Sequence, residues 1–314
     1  MKQEITNQDI IEHRPPKKRV DPFIPYNFLH ENEIQADGVV RSVNTIFLTN
    51  KECPFKCTMC DLWRHTLDEP TPKGAIPAQI QYALEKLPGA EVIKLYNSGN
   101  FFDGKAIPKS DYAEIAAQIS DSNHVIVENH PALTNDSVLE FSKRLSGTFE
   151  VAMGLETIHP VAMPMLNKQI TKKLFKEAVE FLRNAGISSR AFILLNPPFI
   201  TEREENQKWC LESVKFAFES GVSACTIIPT RPGNGIMEKL KLAGNFIPPS
   251  LIDLERVFES AIIQNENRVF CDTWDLQLFS GCDKCLDKRV DRLNRMNLAQ
   301  KISEPVQCSC MCDQ

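Results

Sequence analysis

The sequence lacks the features that would direct a protein into a membrane or out of the cell. No apolar run approaches the roughly 20 residues that a helix needs to span a bilayer. Residues 1–20 are rich in charge and contain no apolar segment typical of a secretory signal. We therefore expect a cytoplasmic protein without a membrane partner. In that reducing compartment, its eleven cysteines indicate metal ligation or redox chemistry rather than disulfides.

The chain also has fewer positive than negative charges. The 36 Lys and Arg side chains are outnumbered by 41 Asp and Glu, which gives a formal net charge of -5. An acidic chain without a long basic block is poorly suited to hold a large nucleic acid by itself. The short basic run at residues 14–19 (RPPKKR) leaves a local phosphate contact open. Such runs are more often solvated extensions that lie over a core.

Length and composition predict one large domain, or one domain with an appendage. The chain has 314 residues, of which 42% are hydrophobic, enough for a sizeable core. Residues 1–42 show no sustained period, which indicates an N-terminal extension. The regular pattern occupies residues 43–250, and residues 251–314 combine a predicted helix with a cysteine-rich end.

Within the regular region, predicted strands alternate with predicted helices. The strands are expected at residues 43–49, 91–96, 124–128, 149–153, 190–195 and 224–228. The helices are expected at residues 76–87, 109–120, 135–145, 172–185, 204–220 and 251–264. This alternation predicts an α/β fold with a parallel sheet and helical crossovers. Polar and glycine-bearing segments follow the strands, at the ends where such proteins gather their active sites.

The most informative motif follows the first predicted strand. Cys53, Cys57 and Cys60 are spaced C-x3-C-x2-C in one short loop. Iron–sulfur clusters are held by Cys thiolates, and three ligands leave one iron of a [4Fe–4S] cluster open. An open coordination position usually indicates chemistry rather than structure. The alternative is a zinc loop, but zinc sites prefer paired knuckles that arrive from two places in the chain.

This spacing and its position resemble the signature of the radical S-adenosylmethionine (SAM) superfamily. A closer resemblance, to the radical SAM subunit of archaeosine synthase and its bacterial relatives, is carried by YNSGNFFD (96–103), VENHPALT (127–134), GLETIHP (154–160), FILLNPPFIT (192–201) and GNGIMEKLKLAGNFIPPSL (233–251). The resemblance implies a partial (β/α)6 barrel with a [4Fe–4S] cluster on the three cysteines. It also implies reductive cleavage of SAM and a low-potential electron donor of the flavodoxin or ferredoxin type.

The resemblance also suggests which residues contact SAM around the cluster. Met59 precedes the last cysteine, where many family members have an aromatic residue whose backbone meets the adenine. The turn Asn97, Ser98, Gly99 and Asn100 stands where the superfamily often has Gly-Gly-Glu, which receives the amino group of SAM. This turn has no carboxylate, so backbone and amide contacts are expected from it. The alternative for the glycine is an ordinary turn position.

Charged residues and histidines at other strand ends are further candidates. Glu128 matches a glutamate on the third strand of related enzymes, and Glu156 sits in the GLET turn. Both suit a cation and ribose hydroxyls, and internal salt bridges with Arg190 or a lysine are the alternative. The planar fork of Arg190 suits the carboxylate of SAM. His130 and His159 are candidates for proton transfer. Loop histidines are, however, more often hydrogen-bonded packing residues.

A second group of cysteines lies near the C-terminus. The spacing of this group resembles that of a four-cysteine ribbon, whose ligands would be Cys282, Cys285, Cys308 and Cys310. Cys312 is an alternate ligand. Structural zinc is favoured there, ahead of an auxiliary iron–sulfur cluster or thiols that bind a soft substrate atom. Cys210 and Cys225 stand alone and are expected to be small buried hydrophobes.

Three functions remain open from the residues and the resemblance. The favoured one is a radical SAM enzyme, an oxidoreductase or transferase that modifies a nucleobase-like or small-molecule substrate. A second is a radical SAM 3-amino-3-carboxypropyl transferase that acts on a thiol-bound metalloid such as arsenite. A third is a non-enzymatic protein that binds zinc or iron–sulfur clusters at both cysteine groups.

Overall fold

The computed structural model describes residues 5–309, which contain a single curled sheet. Its eight strands lie side by side in chain order. They are β1 Asn27–Ile34, β2 Val40–Phe47, β3 Val92–Tyr96, β4 His124–Glu128, β5 Thr148–Glu156, β6 Ser188–Leu195, β7 Ala224–Pro229 and β8 Arg268–Cys271. Strand β1 is antiparallel to β2, and every later pair is parallel. The predicted α/β partial barrel is confirmed, and the six predicted strands are β2 to β7.

The structure adds one strand at each edge of the predicted sheet. Strand β1 enters by a hairpin that turns at Gly38, whose φ of 78° is in the left-handed region. Strand β8 pairs with β7 in parallel. The guanidinium of Arg268 on β8 donates to the carbonyl of Ile34 at the end of β1, 3.2 Å away. The two edges of the curled sheet are therefore close to each other.

Helices cover the outside of the sheet. They are α1 Asn7–Glu12, α2 Ala75–Leu84, α3 Tyr112–Gln118, α4 Asp136–Ser142, α5 Ala162–Met165, α6 Lys172–Asn184, α7 Arg203–Ser220, α8 Ile236–Leu242, α9 Leu251–Gln264 and α10 Asp283–Ala299. The helix expected at 109–120 is shorter, because a 3-10 turn at Lys109–Asp111 precedes α3. In the described part of the chain, no helix is long and apolar enough to cross a membrane.

Helix α6 illustrates how the outer layer forms. Thr171 caps its N-terminus by accepting a hydrogen bond from the N–H of Leu174. Its apolar face, with Phe175 and Leu182 fully buried, packs into the main hydrophobic core between sheet and helices. Gly186, with a φ of 71°, follows its C-terminus. The sequence pattern predicted this helix to within one residue.

The inside of the barrel is part apolar and part charged. A small apolar group, including Val92 and Ile126, packs against the partly buried Tyr96 and Phe192. Beside it, Lys94 on β3 forms a salt bridge with Glu33 on β1 (Nζ to Oε2, 2.6 Å). Burial of both partners makes this interaction part of the interior rather than of the surface. The charged lining is the reason why β1 carries so many polar residues.

The N-terminal segment at residues 5–20 lies across the loop that carries the first cysteines. The guanidinium of Arg14 lies 4.6 Å from the ring centroid of Trp63 and 2.8 Å from the carboxylate of Glu52. The N–H of Lys18 donates to the carbonyl of Arg64 (3.0 Å). As expected, the extension lies over the core, and its basic run is held there by specific contacts.

Candidate active site

A cavity of about 610 Å³ opens at the carboxyl ends of the strands and extends into the barrel. Its lining contains most of the candidate residues from distant parts of the sequence, namely Cys53, Cys57, Met59, Cys60, Ser98, Gly99, Asn100, Glu128, His130, Glu156 and Arg190. Two candidates, Asn97 and His159, do not line it. The fold thus brings the predicted cluster loop and the strand-end carboxylates to one place.

Backbone hydrogen bonds hold the cluster loop in position. The N–H of Thr58 donates to the carbonyl of Leu166 (2.9 Å), and the N–H of Cys60 donates to the carbonyl of Cys57 (3.2 Å). The side-chain amide of Asn234, in the loop after β7, donates to the carbonyls of Thr58 (2.7 Å) and Cys60 (3.1 Å). The loop is therefore fixed by contacts from two other parts of the barrel.

All three thiols of the cluster loop line the cavity. Burial raises the pKa of Cys57 to about 12 and also raises the pKa values of Cys53 and Cys60. These sulfurs therefore depend on a bound cation for their thiolate form. The side-chain amide of Asn100 donates to the sulfur of Cys53 at 3.2 Å. A set of three thiolates with an amide donor fits an iron–sulfur cluster.

Glu128 supplies the carboxylate that the turn after β3 lacks. Its Oε1 accepts hydrogen bonds from the N–H groups of Asn97 and Gly99, the latter at 3.2 Å. Burial raises the pKa of Glu128 to about 7, although these N–H groups act in the opposite direction. A side chain at Gly99 would place its Cβ 3.4 Å from the Cβ of Cys53. The glycine therefore lets the turn approach the cluster loop closely.

Lys168 is a functional candidate that the sequence did not reveal. It forms a buried salt bridge with Glu156 at the end of β5. Burial acts to lower the pKa of Lys168, but Glu156 and the thiols of Cys57 and Cys53 outweigh it and raise the pKa. A Cβ at Gly154 would overlap the end of the Lys168 side chain, so the glycine leaves room for the ion pair. A lone loop lysine has no spacing pattern that would mark it.

Arg190 is placed differently from the expectation. Its guanidinium forms salt bridges with Glu33 (Nη2 to Oε1, 2.8 Å) and with Glu150, and only 2% of its side chain is exposed. Burial acts to raise the pKa of Glu33, but Arg190 and Lys94 outweigh it and lower the pKa to about 2. The donors of Arg190 are thus assigned to interior carboxylates, and the structure does not support its predicted contact with SAM. The expected pairing of Glu156 with a lysine is found with Lys168.

Both candidate histidines are hydrogen-bonded in ways that fit the packing alternative. The ring of His130 stacks on Phe55 with centroids 3.9 Å apart, and burial lowers its pKa to about 4. Its Nδ1 accepts from the N–H of Ala132, which leaves Nε2 to donate to the carbonyl of Lys168 (3.0 Å). The Nδ1 of His159 caps the chain near α5 by accepting from the N–H of Ala162 (2.9 Å). His159 lies outside the cavity lining, so the structure does not support a catalytic role for it.

An aromatic wall on the open side of the cavity was also not foreseen. Tyr26 stacks on His65 with ring centroids 4.5 Å apart. The ring centroids of Phe47 and Trp274 are 5.0 Å apart. Asp272 lies beside them in the lining. Phe47 lies in the first predicted strand, whereas the others come from the N-terminal extension, a loop and the C-terminal region, so only the fold brings them together.

The C-terminal cysteines form a separate group. The sulfurs of Cys282, Cys285 and Cys308 lie within 4.8 Å of one another, with 4.0 Å between those of Cys282 and Cys308. A tetrahedral zinc ion with Zn–S bonds of about 2.3 Å places its sulfurs about 3.8 Å apart, so this group fits one metal ion. Cys310 and Cys312 lie outside the described residues. Three of the four predicted ligands thus converge, and helix α10, which contains Cys285, occupies most of the interval before Cys308.

The two isolated cysteines are buried as expected. Cys210 lies on α7 with 2% exposure and Cys225 on β7 with 0% exposure, and both belong to the main hydrophobic core. Burial raises the pKa of Cys210 to about 12. They therefore behave as small apolar side chains.

Comparisons with known proteins place the chain among relatives of known and unknown activity. No protein-family model matches it. An uncharacterised protein of Methanocaldococcus jannaschii is 26% identical over 95% of this chain and 88% of its own length. Archaeosine synthase subunit beta of Methanosarcina acetivorans is 23% identical over 88% of this chain and 84% of its own length. The same subunit of Thermococcus kodakarensis is 31% identical over 47% of this chain and 48% of its own length.

Solved structures support the fold. Methylornithine synthase superposes with a TM-score of 0.53 at 12% identity, over 82% of this chain and 70% of that chain. An N-terminally truncated Elp3 of Methanocaldococcus infernus superposes with a TM-score of 0.51 at 12% identity. That match covers 71% of this chain and 59% of the Elp3 chain. The resemblance of the sequence to the radical SAM superfamily is thus supported by these relatives, and the two solved structures show the same fold.

Proposed function

We propose that this chain is a radical SAM enzyme with a [4Fe–4S] cluster on Cys53, Cys57 and Cys60. The observation that carries the proposal is the single cavity lined by all three thiols together with Glu128 and Lys168. A zinc knuckle would need no such cavity of about 610 Å³ beside it. The reduced cluster, with SAM bound to its open iron, would supply a 5′-deoxyadenosyl radical for abstraction of hydrogen from a substrate.

Lys168 is the residue that we assign to the carboxylate of SAM. Lys94 and Arg190, which also line the cavity, are both committed to buried carboxylates of the barrel interior. Arg231 pairs with an aspartate on the far side (2.8 Å). Among the described ion pairs, Lys168 forms one only with Glu156, and it interacts electrostatically with the thiols of Cys57 and Cys53. An ammonium in this position provides a charge-assisted hydrogen bond to a carboxylate.

The carboxylates of the site suit the cationic parts of SAM. Glu128 lies against the turn that includes Gly99 and Asn100, where the amino group is received in related enzymes. Its ionised form would favour an ammonium or sulfonium group in this buried cavity. Glu156 holds Lys168 in position and also lines the cavity, where it can accept hydrogen bonds from ribose hydroxyls. Asn100, through its amide, orients the Cys53 sulfur.

The substrate that the cavity supports best is a flat nucleobase-like or other small molecule. The aromatic wall offers ring faces for stacking, and Trp274 remains 41% exposed at the cavity entrance. Asp272 in the lining accepts hydrogen bonds from Arg231 and from the N–H of Trp274, and its remaining lone pairs can accept from amino groups. The relatives named as archaeosine synthase subunit beta support a modified base. The net charge of -5 gives no support to tight binding of a large nucleic acid by this chain alone.

We infer a single metal ion, with zinc as the best fit, at the C-terminal thiols. The close sulfur spacing supports this, since the ligands of one tetrahedral ion must converge. Arg289 donates from its Nε to the sulfur of Cys285 at 3.4 Å, which is typical of a hydrogen bond that stabilises a thiolate. Cys282, Cys285 and Cys308 do not line the cavity. No observation therefore favours aminocarboxypropyl transfer to arsenite held by these thiols.

Anaerobic reconstitution tests the proposal. The native chain, reduced with dithionite, should show the electron paramagnetic resonance signal of a reduced cluster. This signal should change when SAM is added. It should release 5′-deoxyadenosine, whereas 5′-methylthioadenosine would indicate aminocarboxypropyl transfer. Cys57→Ala should abolish the cluster signal, and Cys210→Ala, a change at a buried cysteine of the core, should retain it. Stoichiometric zinc at the first cysteine group, without release of either nucleoside, would refute the proposal.

A further inference from the structure

A second depression lies on the outer side of the cluster loop. Its volume is about 460 Å³. Cys53 and the exposed Pro54 form part of its lining, and Cys53 also lines the candidate active site. The wall between the active site and the outer surface is therefore only the cluster loop itself. A molecule bound in this depression would lie directly against a predicted cluster ligand.

This depression is basic although the chain is acidic. The cations that line it, here called the basic surface, are Arg14, Lys17, Lys51, Lys56 and Lys105. The acidic residues of the lining are Glu52 and Asp103, so the five cationic and two acidic side chains give a net charge of +3. The whole chain has a formal net charge of -5. Positive charge is thus concentrated beside the cluster loop.

The basic surface is held in place by one central carboxylate. Glu52 accepts salt bridges from Arg14 (2.8 Å), Lys17 (2.6 Å) and Lys56 (2.7 Å). Lys17 also pairs with the exposed Asp68 (2.7 Å), so two carboxylates hold these three cations in a fixed arrangement that keeps excess positive charge. A charged partner would therefore meet a preorganised surface.

We propose that the basic surface docks a small acidic one-electron carrier of the flavodoxin or ferredoxin class. This inference rests on the proposed function, because it assigns the entry point of the electron that radical SAM chemistry requires. The carrier would be oxidised by one electron and the cluster reduced by one, with Cys53 the ligand nearest to the carrier. Charge complementarity of this kind accelerates encounter and orients the partners.

The features of the basic surface favour a compact protein over an RNA backbone. The cations surround one depression instead of forming a stripe, and Glu52 and Asp103 are interspersed among them. A duplex or tRNA backbone would need a longer run of unopposed cations. Because Cys53 lines both the depression and the active site, an electron carrier bound here would lie close to the proposed cluster. Binding of an RNA does not require that proximity.

The test compares a charge-altered variant with a matched control. The variant combines Lys105→Glu, at an exposed position, with Lys17→Gln, which retains a hydrogen-bonding side chain next to Glu52. The control makes the same two kinds of change on the outer helices, Lys173→Glu and Lys215→Gln, where the side chains are 84% and 64% exposed. The affinity of purified flavodoxin for each reconstituted protein is measured by titration at low and high salt. Stopped-flow absorbance then gives the rate of cluster reduction by flavodoxin hydroquinone.

The expected result is a loss confined to the carrier. At low salt the variant should bind flavodoxin about tenfold more weakly and be reduced about tenfold more slowly, and high salt should remove most of the difference. Its cluster content, and its cleavage of SAM with titanium(III) citrate as the reductant, should equal those of the control. Native affinity for flavodoxin in such a variant would overturn the docking proposal alone. So would a loss of tRNA binding with unchanged flavodoxin affinity, whereas a native chain that assembles no cluster would overturn the proposed function itself.

Discussion

Glu128 offers a test in which the protonation state of one buried carboxylate controls both stability and binding. Its Oε1 accepts the N–H groups of Asn97 and Gly99, and its pKa is raised to about 7 by burial. Glu128→Gln keeps an oxygen that can accept both hydrogen bonds but removes the ionisation. The substitution therefore isolates the charge from the shape of the site.

The magnitude follows from the two pKa values. An ordinary Glu in the unfolded chain titrates near 4.5, and the folded-state pKa is about 7. At about 1.4 kcal/mol per pKa unit, the difference corresponds to roughly 3.5 kcal/mol. Because the folded state keeps the proton to higher pH, this contribution to stability is present below pH ~4.5. It is lost as the pH rises through about 7.

Thermal unfolding under anaerobic conditions without SAM measures this contribution. Between pH 5 and pH 8 about 2.5 kcal/mol of this contribution is lost. The melting temperature of Glu128→Gln should therefore rise relative to the native protein by about 5 °C, at roughly 2 °C per kcal/mol for a chain of this size. Glu140→Gln, at an exposed position on α4, should show no such trend and serves as the control. The affinity for SAM should increase from pH 6 to pH 8 in the native protein, and it should be weak and flat in Glu128→Gln.

Parallel melting curves for the native protein and Glu128→Gln across this range would show that Glu128 is ionised well below pH 7 in the folded chain. Unchanged SAM affinity in the variant would show that its charge does not face the ligand. Either result would contradict the electrostatic reasoning. The melting curves test the raised pKa of Glu128, and the SAM affinity tests its assignment to the SAM site. Each can therefore be refuted without the other.

Four further predictions concern other parts of the molecule. Arg190→Met should cost about 3–5 kcal/mol of stability, because it leaves buried carboxylates unpaired, while isothermal titration should show unchanged SAM affinity in the folded fraction. Lys168→Met should weaken SAM binding at least tenfold in the same titration, since a charge-assisted hydrogen bond contributes about 1.5–3 kcal/mol. Asn100→Leu should lower the reduction potential of the cluster in a redox titration monitored by electron paramagnetic resonance, because a donor to the Cys53 sulfur is lost. Cys285→Ser should reduce the zinc content in elemental analysis while the iron content stays unchanged.

Sequence periodicity predicted the outer layer of the fold well, because there apolar residues face one core. Helix α6 and strands β2 to β7 carry that pattern openly. Strand β1 does not, since its inward residues include Glu31 and Glu33, which meet Lys94 inside the barrel. The Asp37-Gly38 pair, a frequent hairpin signal, was the available clue to this strand.

Helix α10 escaped prediction for a related reason. Its buried face contains Arg289 and Arg292, both of which form salt bridges with the buried Glu255 on α9. Charged residues at core positions hide the helical period from any reading based on hydrophobicity. Only the structure shows that their charges are paired.

The active site was predicted in part, and the division has a physical basis. The cysteine spacing is local, so the sequence alone marked the cluster loop. The partners of Arg190 and the pairing of Glu156 with Lys168 depend on which strand ends are neighbours in space. Such long-range pairings cannot be read from local spacing. The sequence therefore identified the strand-end carboxylates but left open which cation each of them pairs with.

The side-chain amide of Asn234 links the loop after β7 to the cluster loop on the other side of the cavity. It bonds the carbonyls of Thr58 and Cys60 on the cluster loop, while Thr230 and Arg231, a few residues earlier, form part of the opposite wall. With the proposed cluster in place, a molecule that shifts that wall on entering would also strain the loop that carries the cysteine ligands. By thermodynamic reciprocity, the redox state of the cluster would then alter how tightly that molecule is held. Substrate binding and electron uptake would thereby be coupled in this barrel.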